Sequence, residues 1–211
     1  MKTLILGISV SLGFTQNPFE LDSALTSVLP QSIANSIEIA DVDNDGTQDI
    51  ILTGYDSTRF GVFLDVINGN SDGTISLGSQ LRIITYTDTI ANQIGGIGGI
   101  DLADVNQDGF IDAYLTGSAQ SNLYYNTNGE FLESSNLESM VLSYSDGKWG
   151  DVNMDGAPDL FIMGTDNFND VIINELYINN GSKLDEDKTT IFPALFNGSR
   201  AWGAYDNDGD P

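Results

Sequence analysis

Short apolar runs, punctuated by acidic and glycine-bearing turns, recur along the chain, and none of them sustains a helical period between caps. Three stretches share one layout: "IEIADVDNDGTQDIILTG", "GIDLADVNQDGFIDAYLTG" and "KWGDVNMDGAPDLFIMG". Each runs from an apolar segment through an acidic loop into a second apolar segment that ends in Gly, so each loop joins two strands. Between them lie "FGVFLDVING", "NLYYNTNGEF" and "ELYINNGSKL", aromatic and aliphatic runs that meet turns such as Asn128-Gly129 and Asn180-Gly181. Asn-Gly favours tight hairpins. The pattern predicts an all-β chain.

The acidic loops begin at residues 41, 104 and 151, and a fourth begins at Ala204, giving spacings of 63, 47 and 53 residues. Periods of this size belong to β-propeller blades, four-stranded antiparallel sheets that cannot bury both faces alone. The fourth copy has Asp206, Asp208, Gly209 and Asp210 at loop positions 3, 5, 6 and 7, and Pro211 stands one residue short of position 9. Lacking its first and ninth ligands, that loop is expected to stay empty. The unclosed set of blades is expected to self-associate through open edges and apolar faces.

The loops crowd like charge into nine residues, and carboxylates so close are relieved by proton uptake or by a cation between them. Loop one offers Asp41, Asp43, Asp45 and Asp49 at positions 1, 3, 5 and 9; loop two offers Asp104, Asn106, Asp108 and Asp112; loop three offers Asp151, Asn153, Asp155 and Asp159. Gly46, Gly109 and Gly156 at position 6 permit a sharp turn, and the carbonyls of Thr47, Phe110 and Ala157 at position 7 supply a further oxygen. An all-oxygen shell of this kind fits Ca²⁺. Position 12, where an EF-hand needs an acidic residue, is Leu52, Leu115 and Ile162.

In these loops and flanks the chain resembles the FG-GAP/VCBS family of β-propeller repeats, whose blades carry D-x-[DN]-x-D-G-x-x-D loops between adjacent strands, as in the heads of integrin α chains. The resemblance covers roughly residues 37–211 and is carried by loops repeated in register. Trp149-Gly150 and Trp202-Gly203 stand for the family's Phe-Gly element, while copies one and two have Ile39-Ala40 and Leu102-Ala103 there, closer to the looser VCBS pattern. The family commonly closes a propeller with seven blades, so the resemblance implies an incomplete propeller here.

Composition narrows the partners. The 211 residues include 31 Asp and Glu against 7 Lys and Arg, no His and no Cys, for a formal net charge of −24. Nucleic acid and anionic membranes, both recognised through Lys and Arg, are disfavoured. Thiol nucleophiles, Ser-His triads and imidazole or thiolate metal sites are excluded. "MKTLILGISVSLGFTQ", residues 1–16, reads as a secretory signal peptide too short to span a bilayer, leaving 17–211 as repeats. The glycine run "GGIGGID" (95–101) opens no helix and reads as close strand packing rather than a phosphate loop. The expectation is a secreted or cell-surface module with structural Ca²⁺ that binds protein or glycan in adhesion. The alternatives are the propeller of a polysaccharide lyase or glycoside hydrolase, or a structural spacer. Nothing nominates a catalytic centre: Lys148, Lys183, Lys188, Arg59, Arg82 and Arg200 are scattered.

Overall fold

The computed structural model describes residues 33–56, 61–85, 97–117, 120–166 and 169–194. The leader segment 1–16 and the fourth loop from Ala204 lie outside them. Within the described residues the chain is all-β, with twelve strands in three antiparallel sheets. Blade one comprises β1 (Ile33–Ala40), β2 (Asp49–Asp56), β3 (Gly61–Gly69) and β4 (Ile75–Thr85). Blade two comprises β5 (Ile97–Ala103), β6 (Asp112–Gly117), β7 (Asn122–Thr127) and β8 (Glu130–Glu133). Blade three comprises β9 (Leu142–Gly150), β10 (Asp159–Asp166), β11 (Val171–Asn179) and β12 (Leu184–Glu186). Strands pair in sequence order within each sheet, and the first strands stand side by side, β1 against β5 and β5 against β9. This is the blade architecture expected from the repeat spacing.

Period-two alternation sets which neighbour each side chain meets. In β6, Ala113 and Leu115 join Val42, Ile51, Leu64 and Val66 of blade one in a buried cluster, while Tyr114 between them joins Trp149, Leu160 and Ile162 of blade three. Burying such side chains contributes about 1.5–3 kcal/mol each, which makes these two seams the main apolar stabilisation of the stack. Tyr114 meets Trp149 edge to face, with centroids 6.2 Å apart. Its ring lies over Gly147 of β9, where an added Cβ would come within 2.6 Å of the ring carbons.

Each first strand carries a bulge toward its start, opposite the second half of its partner: between Ala34 and Ser36, between Ile97 and Ile100, and in β9 opposite the step from Met163 to Thr165. At the other end the registers close identically on Ala40 with Asp49, Ala103 with Asp112 and Gly150 with Asp159. The acidic loops span these closures. Glu38, Asp101 and Lys148 hold the same register on the three first strands, and Asp101 accepts from Lys148 Nζ and from the Trp149 N–H, both at 2.7 Å, tying β5 to β9.

The two Asn-Gly hairpins differ. Asn128 and Gly129 have φ of 54° and 85° and form the whole connection between Thr127 and its partner Glu130, as a primed turn requires. Asn180-Gly181 instead begins a four-residue loop between Asn179 and Leu184. There the Asn180 N–H donates to the Lys183 carbonyl at 3.1 Å and its Oδ1 accepts the N–H groups of Ser182 and Lys183, so the side chain reinforces the backbone bond that closes the turn.

Candidate functional site

The three acidic loops share one pattern of backbone N–H to side-chain oxygen bonds. The position 1 carboxylates, Asp41, Asp104 and Asp151, accept the N–H of position 5 on Oδ1 and the N–H of the position 6 glycine on Oδ2, at 2.8–3.1 Å. Oδ1 of Asp43, Asn106 and Asn153 at position 3 accepts the same position 5 N–H at 2.9–3.2 Å. Oδ1 of Asp45, Asp108 and Asp155 at position 5 accepts the N–H of Thr47, Phe110 and Ala157 at 2.8–2.9 Å. Backbone donors thus draw the oxygens inward. The turn needs two left-handed residues: φ is 57–58° at Asn44, Gln107 and Met154, and 87–91° at Gly46, Gly109 and Gly156. The pattern announces the glycine, but Gln and Met at position 4 give no such signal.

The ninth-position carboxylates, Asp49, Asp112 and Asp159, are fully buried. Oδ2 of each accepts the N–H of position 2, Val42, Val105 and Val152, at 2.9–3.0 Å. Oδ1 accepts the N–H at the end of the third strand, Gly69, Asn126 and Asn179, at 2.8–2.9 Å. Each therefore ties the loop's start to its own blade. From the third strand a side chain reaches on to the preceding blade: Asn126 Nδ2 donates to the Val42 carbonyl at 2.7 Å, and Asn179 Nδ2 to the Val105 carbonyl at 2.8 Å. Blade one has Gly69 at this place, with no side chain to give.

Burial pushes Asp49 and Asp159 above the usual carboxylate range and Asp112 up to about 6, against the pull of their backbone donors; neighbouring loop carboxylates add to the rise. Asp45, fully exposed, is held below that range by the Thr47 hydroxyl and N–H. The Thr47 hydroxyl oxygen lies 2.6 Å from Asp45 Oδ1 and 2.8 Å from the Gly69 carbonyl.

Asp41, Asp43 and Asp49 each bring one carboxylate oxygen within 4.8 Å of the others, a hard-oxygen set that fits Ca²⁺. The N–H donors leave lone pairs free, since a carboxylate has about four acceptor sites. In loops two and three the amides of Asn106 and Asn153 stand at position 3, and their Nδ2 groups donate to Asp108 and Asp155 at 2.9 Å. All fifteen residues expected from the sequence sit in these three loops. What the sequence reading missed is the support around them: Asn126, Asn179, Asn44 and Gln107. "NTNG" and "INNG" share an Asn at the end of the third strand, a signal that passes for turn chemistry alone.

No helix among the described residues is long and apolar enough to cross a membrane. A search of curated proteins finds no match. Residues 104–162, from the first aspartate of loop two through loop three into β10, match the family model described as FG-GAP-like repeat. Residues 104–162 thus carry an FG-GAP-like repeat, and with the same loop and the same four-stranded blade present three times in register the chain is similar to FG-GAP/VCBS-type repeat proteins.

Proposed function

We propose that this chain is a calcium-stabilised β-propeller module of a secreted or cell-surface protein, and that it binds a protein or glycan in adhesion. The observation that carries this reading is the threefold recurrence of one oxygen-lined loop, with Asp41, Asp43 and Asp49 converging in the first copy. Positions 1, 3, 5 and 9 of each loop, with the carbonyls of Thr47, Phe110 and Ala157, would hold the ion. Bound Ca²⁺ supplies charge neutralisation among the carboxylates, which holds the turn between the first two strands of each blade. The role is structural: the carboxylates engage backbone donors of their own loops, and the rest of the blade presents the binding surface. The net charge of −24 steers the module toward neutral or cationic partners and away from nucleic acid and anionic membranes.

Calorimetric titration of the chain with CaCl₂ tests the reading. Three ions are expected, with Kd of roughly 10⁻⁴ to 10⁻³ M as in other extracellular modules. A chain that takes up no Ca²⁺ below about 10 mM, and whose melting ignores EDTA, would make the loops ordinary turns.

A further inference from the structure

At position 4 of loops one and two the side chain reaches from its own loop to the next one. Nδ2 of Asn44 donates to the carbonyl of Gly109 at 2.8 Å, and Nε2 of Gln107 donates to the carbonyl of Gly156 at 2.8 Å. The two side chains differ by a methylene, yet both end on the same acceptor, the position 6 glycine of the next loop. Both depart from a left-handed residue seated between positions 3 and 5.

The acceptor is informative. The peptide unit that carries the Gly109 carbonyl also carries the Phe110 N–H, which donates to Asp108 Oδ1; the unit that carries the Gly156 carbonyl carries the Ala157 N–H, which donates to Asp155 Oδ1. A donor at one end of a peptide polarises the N–H at the other and fixes the plane of the unit. The amide of one loop thereby orients the position 5 carboxylate of the next. The row runs one way, from loop one to two to three. At Met154 the side chain carries no donor and stands 64% exposed.

We propose that Asn44 and Gln107 are positioning residues that couple the loops into one row, so that an ion ordering one loop raises the affinity of its neighbour. The inference rests on the calcium reading above. By linkage the effect is reciprocal, and a single exposed amide–carbonyl bond sets it at about 2- to 10-fold between adjacent loops.

The test follows the amide resonances of Gly46, Gly109 and Gly156 by heteronuclear NMR during a CaCl₂ titration, one reporter per loop. Gln107→Met copies the residue that loop three already accepts at φ 57°, and removes the donor without touching a ligand. In that variant the midpoints of Gly109 and Gly156 should move to about 2- to 10-fold higher Ca²⁺. Asn44→Met should do the same for Gly46 and Gly109, and serves if the first variant folds poorly. Unchanged midpoints in both variants would overturn the coupling while leaving the calcium reading intact. Glycine resonances that ignore Ca²⁺ in the wild-type chain would overturn both.

Discussion

Asn126→Ala should loosen the seam between blades one and two without touching a proposed ligand. Asn126 is fully buried; its Nδ2 donates to the carbonyls of Val42 at 2.7 Å and Ile111 at 3.0 Å, and its Oδ1 accepts the Gly129 N–H at 2.9 Å. Truncation leaves its own N–H on Asp112 but removes all three side-chain bonds. Val42 is fully buried, so water does not replace the lost donor there, and an unsatisfied buried group costs about 1–3 kcal/mol. Ile111 and Gly129 are half-buried and lose about 0.5–1.5 kcal/mol each. The sum is about 2–6 kcal/mol, a large share of the 5–15 kcal/mol typical of a folded domain. Urea unfolding followed by circular dichroism, in EDTA and in millimolar Ca²⁺, measures it. Asn179→Ala, the equivalent change one seam later, should cost a similar amount. A midpoint unmoved in Asn126→Ala under either condition would refute the claim that this amide clamps the blades.

Ca²⁺ at about 1 mM should raise stability by about 0.4–1.4 kcal/mol per loop through mass action, read as a higher melting temperature than in EDTA. Asp43→Asn should weaken loop one toward the affinity of loops two and three, since it removes the one negative charge that distinguishes them; calorimetry reads the change. In EDTA, Asp112 binds its proton more tightly folded than unfolded, so its contribution is full below about pH 4 and is lost as pH rises to about 6, by at most about 3 kcal/mol. The difference between wild-type and Asp112→Asn unfolding curves across that window isolates the effect, and stabilisation by Ca²⁺ should grow over the same range because the ion requires the ionised form. Gly147→Ala should push the Tyr114 ring off its seat and cost about 1–3 kcal/mol, visible in near-ultraviolet dichroism of Tyr114 and Trp149.

The loops and blades were legible because their causes are local. Carboxylates at fixed spacing around Gly46, Gly109 and Gly156 specify a turn within nine residues, and the short apolar runs of β6 and β10 are written in consecutive letters. The support was not legible because its partners are distant: Asn126 reaches Val42, 84 positions away, and Gln107 reaches Gly156, 49 positions away. The ninth aspartates were read as ligands alone. Their second task, holding Val42, Val105 and Val152 to the third strands, depends on burial that no spacing announces. Asn180-Gly181 misled for a related reason, since a side chain that satisfies two backbone donors builds a longer loop than the dipeptide implies.

The two-faced packing of β6 bears on how such arrays grow. Each middle blade must match two different neighbours at once, and the copies are not interchangeable: Ile51, Tyr114 and Phe161 hold one register position, and Ile50, Ala113 and Leu160 the one before it. Duplicating or deleting a single repeat therefore rewrites a seam as well as a count. Excising blade two would bring Ile51 where Tyr114 had been, against Gly147, and the smaller side chain would leave the ring's place partly unfilled. Gene duplication in this lineage would more readily succeed by copying neighbouring blades together, with the seam between them inherited intact.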